Sequence, residues 1–172
     1  MDRLLDVMQN RYVRLFLVAL VVLGFQTTIF NDMRPFGVCL QIMLLLAAAA
    51  GLARGSETGA IAGFMVGLMY DMVLPTPMGV GAVVFAATGY LAGYVHSFVH
   101  EPTWWSRMIL AAGASGVGMV IMPMALTLVG VEGVLTLRVF GVAFVVAVFN
   151  AVLSLPLERV CRWALSEPAT VR

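Results

Sequence analysis

The feature that most constrains this chain is a series of long apolar segments, separated by short stretches that carry most of the charges and prolines. A helix needs about 20 apolar residues to cross the roughly 30 Å hydrocarbon core of a bilayer. The segments are continuously apolar rather than alternating, which is typical of membrane helices and not of barrel strands. The sequence therefore predicts an all-α integral membrane protein with six transmembrane helices, at residues 15–30, 35–53, 57–74, 79–99, 108–129 and 139–160.

Composition excludes two large classes of protein. Hydrophobic residues make up 62% of the 172 residues and charged residues 11%, whereas an ordinary soluble chain is about 45–50% apolar. A water-soluble domain of this size cannot bury so much apolar surface, so a soluble enzyme is excluded. The formal net charge is +1 and no basic run is present, which argues against nucleic-acid binding. We expect residues 1–172 to form a single six-helix transmembrane domain.

The arginines predict how the chain is oriented. All ten basic residues are arginine. If the N-terminus is cytoplasmic, the alternating spans place eight arginines on the inner side and only Arg34 and Arg138 on the outer side. Cytoplasmic loops are enriched in basic residues. The sequence therefore predicts that both termini are cytoplasmic.

Catalytic patterns are missing from the sequence. It contains no His-Glu-x-x-His, no Gly-x-Ser-x-Gly and no glycine-rich phosphate loop with a lysine. The connections between spans are short, as at residues 75–78. We therefore predict no enzymatic activity, no catalytic residues, no metal site and no cofactor.

A stripe of small residues marks the third predicted span. Gly59, Gly63, Gly67 and Asp71 recur every four residues and so share one slightly drifting helix face. Glycines at this spacing let a second helix approach closely. Two interpretations follow: the stripe packs against another span of the same chain, which we favour on general grounds, or it docks a helix of a separate protein.

Asp71 is the most informative single residue. An aspartate costs roughly 2.5–3.5 kcal/mol at mid-membrane and less near the surface, and Asp71 lies towards the outer end of its span. A negative charge near a helix C-terminus also opposes that helix's dipole. Both effects require compensation, and the basic residues expected on the outer side are Arg34 and Arg138. We predict an ion pair between Asp71 and one of these two arginines.

Three segments carry a resemblance to a known family. They are Gly63-Phe-Met-Val-Gly-Leu-Met-Tyr-Asp71, Pro77-Met-Gly79 and Gly89-Tyr90-Leu-Ala-Gly93. In content and order they resemble the rod shape-determining protein MreD family, which shows a Gly-Phe-x-x-Gly-Leu-x-x-Asp segment, a Pro-x-Gly turn and a Gly-Tyr-x-x-Gly segment. Tyr70 departs from the aliphatic residue expected before the aspartate.

The resemblance implies a non-catalytic scaffold of the bacterial cell-elongation (Rod) complex in the cell inner membrane. Such a protein binds MreC and supports peptidoglycan synthesis and rod shape. Its further partners are the glycosyltransferase RodA and the transpeptidase that works with RodA, a class B penicillin-binding protein. It is linked indirectly to the MreB filament, and it contacts membrane lipids. The partner-binding and helix-packing positions are then expected to be Gly59, Gly63, Gly67, Asp71, Pro77, Gly79, Gly89, Tyr90 and Gly93.

An alternative of another class shares this architecture. The substrate-binding membrane subunit of an energy-coupling-factor vitamin transporter is also small, has six spans and contains small-residue helix stripes. A vitamin binder needs an outward pocket lined by aromatic side chains and convergent polar groups. Tyr70, Asp71, Arg34 and Arg138 are the candidates for those groups. A lipid-handling enzyme is disfavoured because the catalytic motifs are missing.

Overall fold

The described part of the computed structural model comprises residues 10–29, 40–74, 77–99 and 103–166, and it is entirely helical, with no strand. These residues form six helices: α1 (Arg11–Thr28), α2 (Ile42–Arg54), α3 (Ser56–Val73), α4 (Val80–Ser97), α5 (Trp104–Leu128) and α6 (Arg138–Ala164). Four of them are long and apolar enough to cross a membrane: α1, α4, α5 and α6. For the described residues, this confirms the prediction of an all-helical protein with long apolar helices. Six membrane crossings and cytoplasmic termini stay predictions.

The helix boundaries differ from the predicted spans at identifiable places. Helix α2 begins at Ile42, with Gln41 as its N-cap, rather than at Pro35, and residues 35–39 lie outside the described part of the chain. Helix α5 begins earlier than predicted, at Trp104, and α6 continues past Val160 to Ala164. Hydropathy marks only the apolar part of a helix, whereas backbone hydrogen bonding continues through interfacial tryptophan and arginine residues.

Helix α2 is the centre of the bundle. Every residue from Ile42 to Leu52 is buried, and the helix contacts all five others. A helix that is apolar on all sides is buried in the centre of a protein or in a membrane. Helix α2 is covered by its neighbours and carries no polar face. The most extensive helix pair is α3 with α4, followed by α5 with α6.

Arginines gather at one end of the bundle, which we call the arginine-rich end. Three contacts establish it: Arg14 Nη1 to Ser166 Oγ, just after α6, at 3.1 Å, Arg54 Nη2 to the Arg162 carbonyl at 3.3 Å, and Arg107 Nη1 to Glu158 Oε1 at 3.0 Å. Arg138 begins α6 and therefore lies at the opposite end. The positive-inside tendency makes the arginine-rich end the expected cytoplasmic side.

This orientation predicts the outcome of cysteine labelling in cells. In a Cys39→Ser, Cys161→Ala background, we expect Glu132→Cys to react with a membrane-impermeant maleimide in intact cells. Glu132 is an exposed residue between α5 and α6 at the opposite end. Exposed Ser97, the last residue of α4, lies at the arginine-rich end, so Ser97→Cys should react only after permeabilisation. The reverse labelling pattern would show that the termini are extracytoplasmic.

Candidate functional site

The glycine stripe of α3 faces α4 at backbone contact. A Cβ atom built on Gly59, Gly63 or Gly67 would lie closer than 3.0 Å to backbone atoms of α4. Real Cβ atoms essentially never approach so closely, so only glycine fits these three positions without a shift of the helices. The close approach maximises van der Waals contact between the two helices, which is the main attraction available to helices in lipid.

The glycines of α4 complete the same contact from the other side. A Cβ on Gly89 would overlap the carbonyl oxygen of Gly59, and a Cβ on Gly93 would overlap the backbone of Ser56. Gly51 of α2 meets the Gly89 carbonyl in the same way. Helices α2, α3 and α4 thus converge on glycine backbone. The stripe packs within the chain, so its surface is not available to a second protein.

Tyr90, unlike the expected positions Gly89 and Gly93 on the same helix, lies on the outside of the bundle. Its side chain is 45% exposed. Its ring stacks on Tyr94 with centroids 6.1 Å apart, and Tyr94 packs edge-on against Phe98 at 5.0 Å. These three rings form an exposed aromatic face that runs towards the arginine-rich end of α4.

Asp71 caps the next helix along the chain. Its buried carboxylate accepts hydrogen bonds from the backbone amides of Gly79 at 2.9 Å, Gly81 at 3.1 Å and Ala82 at 3.1 Å. The first amides of a helix have no intrahelical partner, and a negative charge there is favoured by the helix dipole. The carboxylate that opposes the dipole of α3 therefore complements the dipole of α4.

The cap supplies compensation for Asp71 that the predicted ion pair did not include, and a pair with Arg34 stays a prediction. The ion pairs within the described part of the chain both belong to Glu158, so Arg138 does not pair with Asp71. Arg34, the other predicted partner, lies outside the described residues. Backbone amides supply compensation that a search for basic side chains does not reveal.

The turn before α4 is shaped around this carboxylate. Gly79 has φ +100°, a left-handed conformation that favours glycine, and the Pro77 carbonyl accepts the Val80 amide at 3.3 Å. A Cβ on Gly81 would overlap Asp71 Oδ1. Sequence reasoning missed Gly81, although the Gly-x-Gly spacing directly after the proline turn was a usable signal.

Gln26 caps α2 in the same way as Asp71 caps α4. Its buried Oε1 accepts the backbone amide of Met43, in the first turn of α2, at 2.8 Å. Gln26 lies near the end of α1 as Asp71 lies near the end of α3, so both caps form at the end opposite the arginines. Two helix N-termini inside the bundle are thus satisfied by side chains from the preceding helix.

An open groove between α5 and α6 contrasts with the filled α3–α4 contact. Its volume is about 790 Å³, and its lining is almost wholly apolar. Gly113 has nothing within 4 Å of a built Cβ, and at Gly116 the nearest atom is the Ala147 Cβ at an ordinary 3.6 Å. Phe144, also in the lining, is 71% exposed. These small residues therefore leave accessible space on the outside of the bundle.

Two other cavities have different linings. A groove of about 530 Å³ between α1 and α6 is bordered by large side chains such as Leu17, Phe25 and Trp163, without glycine or alanine. A smaller cavity of about 230 Å³ at the opposite end from the arginines contains Gln41, Arg138 and otherwise mainly aliphatic and Met side chains. Within the described residues, no aromatic side chain lines this second cavity.

Comparison with known proteins adds no family assignment, because no family model, curated protein or solved structure matches the chain. The resemblance to MreD therefore rests on the quoted sequence segments alone. Among the described residues, no group of three or more His, Cys, Asp or Glu side chains is placed to hold a metal ion.

The cap predicts a specific effect of replacing Asp71. Loss of an N-cap costs about 0.5–2 kcal/mol, so Asp71→Ala should lower the thermal denaturation midpoint of the purified protein in detergent. Asp71→Asn keeps one acceptor oxygen but loses the charge, and we expect an intermediate midpoint. Glu132→Gln, in an exposed connection, is the matched control and should behave like the wild type. Equal midpoints for Asp71→Asn, Asp71→Ala and the control would show that the cap does not stabilise the folded protein.

The glycine contact predicts opposite effects of one substitution at two places. Gly63→Ala should destabilise the bundle by about 1–3 kcal/mol, because overpacking forces α3 and α4 apart. Gly24→Ala, where nothing lies within 4 Å of a Cβ, should be neutral or slightly stabilising, since alanine favours helix formation by up to about 1 kcal/mol. Denaturation midpoints in the same detergent measure both. A stable Gly63→Ala variant would contradict the backbone contact.

Proposed function

We propose that this protein is a non-catalytic scaffold of the bacterial cell-elongation (Rod) complex in the inner membrane, where it binds MreC and supports lateral peptidoglycan synthesis. The open groove between α5 and α6 is the structural observation that carries the proposal. The sequence segments that resemble the MreD family supply the identity of the partner. RodA, its partner transpeptidase and, indirectly, MreB complete the proposed assembly.

The groove has the surface that a single transmembrane helix of a partner requires. On α6, Ala143, Ala147 and Ala151 recur every four residues along its wall, and on α5 Gly113 and Gly116 face the same space. Small residues at these spacings let two helix backbones approach closely in lipid. The glycines of α3 and α4 are already in contact with each other, so α5 and α6 offer the small-residue surface that is still open.

The family-motif residues then act inside the scaffold. Gly63, Gly67 and Gly89 hold α3 against α4, and Asp71 fixes the start of α4. In this proposal they set the shape of the bundle on which the α5–α6 hairpin is mounted. The partner contact is one step removed from them.

The vitamin-transporter alternative has weaker support. The cavity near Arg138 measures about 230 Å³, below the roughly 300–1,000 Å³ usual for small-molecule sites. Two of the polar groups considered for such a pocket already make hydrogen bonds within the bundle. The Tyr70 hydroxyl accepts a hydrogen bond from Gln41 at 2.9 Å, and Asp71 caps α4. The scaffold is therefore the function that we favour.

A pair of open glycines tests the proposal. Gly113→Leu places a side chain in the groove, whereas Gly141→Leu places the same side chain on α6 outside its lining; a Cβ at either position meets nothing within 4 Å. We expect Gly113→Leu to reduce the amount of MreC recovered with the tagged protein from native membranes by about tenfold, equivalent to about 1.4 kcal/mol, and to turn rods into spheres.

The control variant, Gly141→Leu, should still recover MreC, and cells that produce it should remain rods. Normal MreC recovery with Gly113→Leu would place the contact elsewhere on the protein. Recovery of a pair of transporter ATPases in place of MreC would overturn the scaffold function itself.

A further inference from the structure

A polar cavity of about 290 Å³ lies between α5 and α6 at the arginine-rich end. Its lining contains Trp104, Arg107, Leu155, Glu158, Arg159 and Arg162. The three guanidinium groups face one carboxylate, which leaves two positive charges uncompensated within this lining. The proposed scaffold function makes no use of this cavity.

Glu158 organises the arginines around it. Its carboxylate is 4% exposed and accepts from Arg107 Nη1 at 3.0 Å and from Arg162 Nη2 at 2.6 Å. The guanidinium groups of Arg107 and Arg162 are therefore held in fixed positions by a buried anchor. Burying a carboxylate is expensive unless it is paired and hydrogen-bonded, so Glu158 and its arginines form one unit.

Unused donors remain in this unit. Arg162 donates to Glu158 through Nη2, and its side chain is 44% exposed. Arg159 is exposed and, among the described residues, makes no ion pair or hydrogen bond. Arginine presents several N–H groups in a planar fork that matches the oxygens of a phosphate group. The cavity thus supplies the charge and the donors for one phosphate.

The two neighbouring tryptophans connect this cavity with apolar surface. The rings of Trp104 and Trp105 have centroids 4.0 Å apart. Trp104 lines the polar cavity and Trp105 lines the apolar groove between the same two helices. Tryptophan is enriched at the level of lipid headgroups, where one side of the ring is apolar and the other polar.

We infer that this cavity binds the phosphate of an anionic phospholipid, with its acyl chains lying against the Trp105 end of the groove. A free phosphate ion would match the arginines but would make no use of the adjoining apolar surface. The chains leave the cavity past the exposed Trp105 and Ile109 side chains and continue into the surrounding bilayer. The small-residue stretch at Gly113 and Gly116 remains open to a partner helix.

Lipid retention by the full-length protein tests this inference. We expect native mass spectrometry of the purified protein to show retention of added phosphatidylglycerol in preference to phosphatidylcholine. Arg159→Gln should weaken this retention by about fivefold, the effect of removing one arginine near an anionic headgroup, and Arg159→Gln with Arg162→Gln should weaken it further. Arg138→Gln removes an exposed arginine at the opposite end and should leave retention unchanged.

Two results would overturn the inference. Equal retention of the two lipids would show that the arginines do not select the headgroup. Displacement of phosphatidylglycerol by an equal concentration of inorganic phosphate would show a phosphate site without lipid specificity. Arg159 is exposed, so its replacement should not affect folding, and an unchanged denaturation midpoint will verify this. Gly113→Leu should leave lipid retention intact, and Arg159→Gln should leave MreC recovery intact, which separates this inference from the proposed function.

Discussion

The contact of glycine backbone on glycine backbone between α2, α3 and α4 is the constraint on which the rest of this structure depends. Apolar side chains gain little by leaving lipid for protein, so close packing and internal hydrogen bonding must hold such a bundle together. Gly51, Gly59 and Gly89 bring the three helices to backbone distance. Because α2 contacts every other helix, this three-helix contact sets how the remaining helices are arranged around it.

Two buried carboxylates stabilise opposite ends of the bundle by different means. Asp71 is satisfied by three backbone amides of α4, and Glu158 by two arginine side chains. The first arrangement completes a helix end. The second leaves charge in excess, because the arginines outnumber the carboxylate in that cavity. A structural role therefore follows for Asp71, and a binding role for the arginines around Glu158.

The residues that carry the family resemblance and the surfaces that remain open for binding are separate. Gly63 and Gly67 are occupied by contact with α4, whereas Gly113 and Gly116 face open space beside α6. In sequence both pairs are glycines at helical spacing within an apolar segment. Under the proposed function, the motif residues build the bundle, and the partner would occupy a surface with fewer distinctive residues.

The sequence by itself determined the helical class, the approximate position of each helix and the separation of most arginines from Arg138, because hydropathy and charge are local properties of each segment. It also placed Gly59, Gly63 and Gly67 on one helix face. Only the tertiary structure decided what covers that face, since a helix period does not specify the neighbouring helix. The same reason explains the cap on α4: three backbone amides at its start donate to Asp71, and every residue except proline carries a backbone N–H, so no side-chain pattern marks which amides a carboxylate will reach.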